Sequence, residues 1–324
     1  MTDRTARVAL AIPAVVACLT LGPAGAHGQE SRLSYRLPGM EEALVRKNIV
    51  YKKLLRGTAL PDFGNALSFD LYRPASGSAS WPTPGPGTTP ARRPALIYIP
   101  GGIVPGEGYP LPKEWPQYAD RGRLAAAAGL VGVVATHRLT IRDSIPEAAE
   151  DVRDLLSHLR SHASEYGIDP DRLALAIYSA GGPLVSPFLR WPEPYVRSVV
   201  LFYPFLDLEH LRTVSPFRDP VPAERVDRWQ AHSPAAVVGL LPDQLPPLFL
   251  ARAGQDAIPH LNESIERFMA EVLEHDVAID FHLHRTGAHG FDTNPDARST
   301  EIVRASLEVV LRHFDMSLPA EKRL

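Results

Sequence analysis

The sequence predicts an α/β fold in which helices cover both faces of a mostly parallel central sheet. Short apolar runs rich in β-branched residues alternate along the chain with segments of helical periodicity, which is typical of strand–helix–strand units. Several of these runs are apolar throughout, as expected for strands that are buried on both faces. With 324 residues, of which 45% are hydrophobic and 22% charged, the chain is long enough for one large domain with a substantial core.

Net charge and cysteine content exclude several classes of protein. The formal net charge is -3 and the basic residues are scattered along the chain, which argues against a nucleic-acid partner held through phosphate contacts. The single cysteine, Cys18, excludes an intrachain disulfide and a metal cluster held by cysteines. Any chemistry must therefore depend on other side chains.

Residues 1–26 are predicted to be a signal peptide. Arg4 and Arg7 precede an apolar run over residues 8–21, and Ala24-Gly25-Ala26 fits the small-residue pattern of a cleavage site. A membrane-spanning helix is disfavoured because two prolines interrupt the segment and the apolar run is shorter than the roughly 20 residues that a span requires.

Residues 15–18 offer a second interpretation of the same segment. Val15-Val16-Ala17-Cys18 resembles a bacterial lipobox, which would place a lipid on Cys18 and anchor the protein to a membrane. The apolar run continues past Cys18 to Leu21, which favours cleavage after Ala26. Under either interpretation the protein is exported, and we expect it in the periplasm or outside the cell.

Eight strands are expected after a polar, extended N-terminal arm over residues 27–40. Each is an apolar run or a period-two alternation that ends near Gly, Pro or Asp, and the alternating run 67–72 indicates a half-buried strand. The predicted strands lie within 41–56 and at 67–72, 95–99, 130–136, 172–178, 196–203, 246–254 and 277–284.

Helical spacing of apolar residues fills most of the gaps between these strands. Ser144-Ile145-Pro146-Glu147 is predicted to be a capping box with proline in the first turn of a long helix, and Gly129 is expected to end an earlier one. The predicted helices lie at 111–129, 144–166, 183–189, 262–273 and around 302–311.

Two segments show neither the strand spacing nor the helix spacing of apolar residues. Residues 74–94 are dense in Pro, Gly, Ser and Thr and are predicted to form a surface loop between two strands. Residues 205–244 include prolines at 216, 220, 222 and 234 and interrupt the alternation of strands and helices. We expect this second segment to be an insertion into the α/β domain, which extends over residues 27–324.

The stretch Arg172–Gly182 is the strongest candidate for chemistry. Its apolar strand stops at Ser179, and the small residues Ala180, Gly181 and Gly182 follow at once. A tight turn from strand to helix would place Ser179 beyond the end of the sheet, where unpaired helix N–H groups favour developing negative charge. A serine that caps an ordinary buried helix would lie in a similar sequence. Other parts of the chain must therefore distinguish a nucleophile from a helix cap.

A second strand also ends in small residues. Ile99 is followed by Pro100-Gly101-Gly102, and glycines allow backbone N–H groups to approach a ligand closely. An ordinary turn from strand to helix would have the same sequence pattern.

Three polar side chains that form a known catalytic combination each follow a predicted strand. They are Ser179, Asp256 and His289. Ligands of an open parallel sheet bind outside the carboxyl ends of its strands, so we expect the three side chains at one edge. A serine hydroxyl needs a base within hydrogen-bond reach, and that base needs a carboxylate to orient it.

Other residues could fill two of these roles. Asp207 follows an earlier strand and is the alternative acid, since Asp256 could instead cap the next helix. His282 and His284 are the alternatives to His289, but both alternate within a predicted strand and are expected to be sheet residues.

Together these motifs resemble the α/β-hydrolase family, over roughly Leu67 to Asp315. The run from Ile177 to Gly181 is similar to the family's G-x-S-x-G nucleophile elbow, with Ile177 where the family usually has a small residue. Pro100-Gly101-Gly102 is similar to its His-Gly-Gly oxyanion loop, with Pro100 in place of the histidine. The order Ser, Asp, His along the chain is also that of the family.

The resemblance implies a serine hydrolase that cleaves carboxyl esters through an acyl-enzyme on Ser179. His289 would act as general base and then acid, and Asp256 would hold its tautomer. The oxyanion hole would use the N–H of Ala180 and a second N–H from the loop at Gly101, Gly102 or Ile103.

The resemblance also implies a small or medium carboxyl ester as substrate and a lid-like insert at about 205–245. It implies no metal and no organic cofactor. The charge distribution predicts no nucleic-acid partner, and the lipobox-like segment allows contact with a membrane only through a lipid on Cys18.

Three other functions are compatible with parts of this pattern. A peptidase of the prolyl-oligopeptidase kind shares the catalytic domain but normally has a large N-terminal propeller, which we do not expect in 324 residues. A haloalkane-type hydrolase needs an acidic nucleophile, which Ser179 excludes. Ile177 and Pro100 favour a binding protein that has lost catalysis, whereas the retention of all three polar side chains argues against it.

Overall fold

The computed structural model describes residues 33–54, 65–75, 92–102, 110–139, 144–214 and 223–319, with the side chains of 223–225 left out. The predicted signal peptide with Cys18, Ile103 and most of the predicted surface loop lie outside these ranges. None of the helices within the described residues is long and apolar enough to cross a membrane.

The described residues form one sheet of eight strands in the order β1-β2-β4-β3-β5-β6-β7-β8. β1 and β4 pair antiparallel with β2, and all other neighbouring strands are parallel. This confirms the predicted mostly parallel sheet. The strands are β1 Leu44–Lys53, β2 Ala66–Arg73, β3 Arg93–Ile99, β4 Val131–Ala135, β5 Ile168–Tyr178, β6 Val196–Phe202, β7 Leu248–Ala253 and β8 Ile279–His284.

Helices connect and cover these strands. The first packs on β2, β3 and β4, the second on β1 and β5, and the last on β6, β7 and β8. The helices are α1 Pro116–Ala127, α2 Ile145–Ser161, α3 Ala163–Tyr166, α4 Ser186–Arg190, α5 Leu208–Thr213, α6 Ala223–Gln230, α7 Pro234–Val237, α8 Leu261–Glu274 and α9 Ala297–Arg312. Shorter 3-10 turns are Pro112–Glu114, Ser179–Val185, Pro242–Gln244 and Phe291–Thr293.

The second strand is more deeply buried than its alternating sequence predicts. Asp70 of β2 is 2% exposed, because it lies within a polar cluster and not on a solvated face. Its carboxylate pairs with the Lys113 ammonium at 3.0 Å and accepts the Asn48 N–H at 2.8 Å. The charged partner comes from 43 residues further along the chain, and a buried carboxylate is tolerated when it is paired and hydrogen-bonded in this way.

The N-terminal arm is not simply a polar extension. Leu33, Tyr35, Leu37 and Met40 are buried and belong to the main hydrophobic core. The Ser34 N–H donates to the Asp292 carbonyl at 2.9 Å, so the arm is fixed by its backbone as well as by alternate apolar side chains.

The long helix predicted from residue 144 to 166 is divided. α2 ends at Ser161 and the separate turn α3 follows His162. Pro146 lies in the first turn as predicted, but the Ser144 side chain makes no capping hydrogen bond. The backbone of Ser144, at φ -90° and ψ 3°, lacks the extended conformation that brings a cap hydroxyl over the first helix N–H groups.

Candidate active site

The turn after β5 places a strained serine at the carboxyl edge of the sheet. Ser179 has a φ of +50°, in the left-handed region that non-glycine residues rarely adopt. It directly follows Tyr178, the last residue of β5, and begins a 3-10 turn. Sparsely populated backbone conformations of this kind cost about 1–3 kcal/mol and cluster at functional sites.

Backbone crowding explains why small residues surround this serine. A Cβ atom at Gly101 would lie 2.4 Å from the Tyr178 carbonyl oxygen and 2.7 Å from the Ser179 Cβ. A Cβ atom at Gly182 would lie 2.1 Å from the Phe205 carbonyl oxygen. The loop after β3 and the chain after β6 therefore run directly against the serine turn.

The bulky Ile177 is accommodated by a glycine four residues later. Ile177 is fully buried at the end of β5. A Cβ atom at Gly181 would meet its Cγ2 at 3.3 Å, which is tighter than nine in ten real Cβ contacts. Gly181 therefore leaves the space that the branched side chain occupies, and the serine turn is formed with Ile177 in place.

The structure brings Ser179, Asp256 and His289 together. The His289 Nε2 lies 2.8 Å from the Ser179 Oγ, and its Nδ1 lies 2.7 Å from the Asp256 Oδ2. Because a carboxylate oxygen only accepts, Nδ1 carries a proton, and Nε2 of the neutral ring accepts from the serine hydroxyl. A hydroxyl, an imidazole and a carboxylate linked in this order have the geometry that serine nucleophiles require.

Hydrogen bonds between loops hold the acid and the histidine in place. The Asp256 side chain is fully buried, and its other oxygen accepts the Ile258 N–H at 3.0 Å. The Gln255 N–H donates to the Gly287 carbonyl at 2.9 Å, which joins the loop after β7 to the loop after β8. The His289 side chain remains 26% exposed, so it is accessible from solvent.

The alternative acid and bases have other partners. The Asp207 carboxylate accepts the His210 N–H at 3.0 Å as the N-cap of α5 and pairs with the Arg267 guanidinium at 2.7 Å. His282 contacts Asp280, and the buried His284 contacts the Asp296 that caps α9.

The loop after β3 is held by two side chains that sequence reasoning missed. The Gly101 N–H donates to the Tyr118 hydroxyl at 2.8 Å, so this N–H already has a partner. On the preceding residue, the Pro100 carbonyl lies 2.8 Å from the His137 Nε2. The Leu139 N–H donates to the His137 Nδ1 at 3.3 Å. These contacts fix the tautomer with the proton on Nε2, which donates to the Pro100 carbonyl.

A buried ion pair lies behind the serine and the histidine. The Arg121 guanidinium pairs with the Asp292 carboxylate, and both side chains are less than 5% exposed. The guanidinium carbon lies 4.5 Å from the centre of the Tyr118 ring and 4.1 Å from that of the Tyr178 ring. Such cation–π contacts are strongest where water is excluded.

The same ion pair reaches the histidine through Tyr203. The Tyr203 hydroxyl donates to the Asp292 carboxylate at 2.5 Å, and its ring centre lies 4.6 Å from that of His289. Burial, followed by the Asp292 charge, raises the pKa of Tyr203 well above its ordinary value, so the hydroxyl keeps the proton that it donates. The available sequence signals were a charged residue among the apolar positions of α1 and an aspartate directly after His289-Gly290-Phe291.

A comparison with protein families identifies the fold. The family described as the alpha/beta hydrolase fold matches residues 117–293, more than half of the chain. The matched segment begins in α1 and includes the serine turn, Asp256 and His289. This chain therefore belongs to the α/β-hydrolase family.

Two curated relatives come from Mycobacterium tuberculosis. The probable carboxylic ester hydrolase LipM is 26% identical over 216 residues, which are 59% of this chain and 48% of LipM. The esterase LipQ is 23% identical over 240 residues, or 68% of this chain and 56% of LipQ. The chain thus spans about half the length of the curated relatives it matches.

A solved structure shows the same fold. Esterase 2 of Thermogutta terrifontis, phosphoramylated by tabun, superimposes with a TM-score of 0.60 at 22% identity. The match covers 87% of this chain and 98% of the esterase. The same esterase is also known with butyrate bound and with propionate bound.

Tyr118→Phe should lower the free energy of unfolding by about 1–3 kcal/mol, because it leaves the buried Gly101 N–H without its partner. Tyr72→Phe is the matched control, since the Tyr72 hydroxyl is buried with no hydrogen-bond partner among the described residues. Urea unfolding of both variants measures the difference. Equal stability of the two variants would show that the Tyr118 hydroxyl does not hold the loop.

His137 should make stability depend on pH. Burial lowers its pKa below the ordinary value of about 6.5, so the unfolded chain binds the proton more readily. The stabilisation that the neutral His137 gives the folded state is complete above about pH 6.5. It is lost as the pH falls through the lower pKa of His137 in the folded state. His137→Gln keeps an N–H donor for Pro100 but does not titrate in this range. Urea unfolding from about pH 7.5 to about pH 5 should show a smaller loss of stability for this variant than for wild type. Parallel curves would contradict the prediction.

Proposed function

We propose that the protein is a serine hydrolase that cleaves carboxyl esters through an acyl-enzyme on Ser179. The observation that carries this proposal is the continuous hydrogen-bonded chain from Ser179 through His289 to the buried Asp256. It lies at the carboxyl edge of the sheet, where ligands of this fold bind.

Each side chain has one role in the proposed reaction. The Ser179 Oγ attacks the ester carbonyl carbon while the His289 Nε2 removes the hydroxyl proton. The imidazolium, stabilised by the Asp256 carboxylate, then gives that proton to the departing alcohol, which leaves the acyl group on Ser179. Water attacks this acyl-enzyme with His289 again as base, releases the carboxylic acid and restores the serine.

The developing oxyanion requires backbone donors beside the serine. We assign this role to the N–H groups of Ala180 and Gly102, each worth about 3–4 kcal/mol of transition-state stabilisation. Gly101, which the sequence analysis also included, is set aside because its N–H donates to the Tyr118 hydroxyl. Its absent side chain still matters, since it lets the loop approach the Ser179 Cβ.

The two departures from the family pattern do not favour a binding protein. Gly181 provides the space that Ile177 fills, and His137 holds the carbonyl of the Pro100 that replaces the usual histidine. The residues that would position a working oxyanion loop are therefore present, and two of them, Tyr118 and His137, lie outside the local motif.

The relatives support an ester as the substrate. LipM is described as a carboxylic ester hydrolase and LipQ as an esterase. The structurally similar Thermogutta esterase binds butyrate and propionate, which are short acids. We propose a carboxyl ester with a small or medium acyl group, processed without a metal or organic cofactor.

The proposed roles predict a specific pattern among variants. Ser179→Ala should lose labelling by a fluorophosphonate probe and hydrolysis of p-nitrophenyl butyrate. Asp256→Asn should lower kcat by about 10³–10⁴ because the histidine loses its orienting carboxylate. Asp207→Asn, which removes a carboxylate used by α5 and Arg267, should keep kcat within a few-fold of wild type.

Two outcomes would overturn these assignments. If Asp207→Asn loses activity while Asp256→Asn retains it, the acid has been misassigned. If the folded wild type is neither labelled nor active on acetate, butyrate or longer esters, the protein is a binding member of the fold.

We propose in addition that residues 1–26 direct export, on the support of the arginines, apolar run and Ala24-Gly25-Ala26 pattern of that segment. Intact-mass measurement of the protein recovered outside the cytoplasm should give a chain that begins at His27. A lipid-modified chain that begins at Cys18 would support the lipobox instead. An uncut chain confined to the cytoplasm would contradict both.

A further inference from the structure

Two histidines and a glutamate meet on the surface between the insert and the core. The His210 Nε2 lies 3.0 Å from the Glu263 Oε2, and the His260 Nδ1 lies 2.7 Å from the same oxygen. The three atoms that could bind an ion all lie within 4.8 Å of one another. His210 belongs to α5 in the insert, whereas His260 and Glu263 lie at the start of α8, about 50 residues later.

Backbone conformation and an ion pair fix the positions of these side chains relative to one another. His260 has a φ of +60°, a left-handed conformation that non-glycine residues rarely adopt, and it directly precedes α8. The Arg267 guanidinium of α8 pairs with Asp207, the N-cap of α5, at 2.7 Å. The two helices that carry the cluster are thus already fixed to each other one helical turn away from it.

The donor set is suited to a divalent transition metal. Imidazole nitrogens with a carboxylate oxygen are typical zinc ligands at about 2.0–2.2 Å, which places neighbouring donor atoms roughly 3.3 Å apart in a tetrahedral site. The two distances to the Glu263 Oε2, 2.7 and 3.0 Å, need to open by only a few tenths of an ångström. The His210 and His260 nitrogens lie within 4.8 Å of each other and would turn toward the ion. The Glu263 side chain is 54% exposed, so its carboxylate is free to make this adjustment.

We propose that His210, His260 and Glu263 form a binding site for a divalent transition-metal ion, and that Zn²⁺ is the ion that this donor set favours. Three protein ligands leave the fourth tetrahedral position for a water molecule. The site is distinct from the Ser179, Asp256 and His289 cluster and does not depend on the function proposed for it.

The ion would act as a clamp between the insert and the core. His260 is four residues beyond Asp256, so a metal at this site would fasten α5 to the segment that follows the buried acid. We therefore expect Zn²⁺ to stabilise the folded protein, because an ion that binds only the folded state raises the unfolding temperature by mass action.

The test uses tag-free protein from which metal has been removed with a chelator. Calorimetric titration with Zn²⁺ should give one ion per chain with micromolar affinity. Titration with Co²⁺ should give the intense visible absorption of a tetrahedral cobalt complex. Addition of Zn²⁺ should raise the unfolding temperature, and a chelator should reverse the increase.

Three variants and one control locate the site. His210→Gln, Glu263→Gln and His260→Asn should each weaken Zn²⁺ binding at least tenfold, and asparagine is chosen because it tolerates the left-handed backbone at residue 260. His282→Gln removes another surface histidine with a carboxylate neighbour, Asp280 at 2.9 Å, and should bind as wild type does. Unfolding temperatures without metal verify that each variant is folded.

The proposal fails under either of two results. If the wild-type protein binds neither Zn²⁺ nor Co²⁺ at a metal concentration of about 100 μM, it has no such site. Binding that survives unchanged in the three folded variants, or that is lost in His282→Gln instead, places the ion elsewhere.

Discussion

The Arg121–Asp292 ion pair is the interaction on which the geometry of the site depends. Both charges are withdrawn from water, which carries a desolvation cost that the pairing must offset. Tyr203 donates to the carboxylate, whereas the Nε and Nη1 of Arg121 have no hydrogen-bond partner among the described residues, and the guanidinium lies against the rings of Tyr118 and Tyr178. Tyr118 in turn holds the Gly101 N–H, and Tyr203 lies against His289. One pair of charges therefore supports the loop after β3 from one side and His289 from the other, and loss of either charge would leave its partner buried and unpaired.

A second constraint is the lack of space around the serine. The left-handed conformation at Ser179 turns the chain so sharply that the backbones after β3 and β6 touch it directly. The backbones are so close there that only small residues fit, and these small residues form a motif that can be recognised in the sequence. Ile177 fits beside this turn because Gly181 has no side chain, and a Cβ atom there would press on the Ile177 Cγ2 at 3.3 Å.

Much of this could be predicted from the sequence because it is local. Apolar periodicity identified the eight strands, and the order of Ser179, Asp256 and His289 after three of them identified the side chains that the structure brings together. Pairings between distant residues could not be predicted in this way. Arg121 and Asp292 are 171 residues apart, and β2 looked half-exposed because the partner of Asp70 lies 43 residues away. The neutral His137, which holds Pro100 across 37 residues, is likewise invisible to any local pattern.

The contact between Phe205 and the serine turn limits where the chain after β6 can bend. The Phe205 N–H donates to the Ser179 carbonyl at 3.1 Å, and its own carbonyl packs over Gly182. The chain therefore leaves the sheet bonded to Ser179 before α5 begins. If α5 moves relative to the sheet, the hinge must lie beyond Phe205, so Ser179 keeps its position.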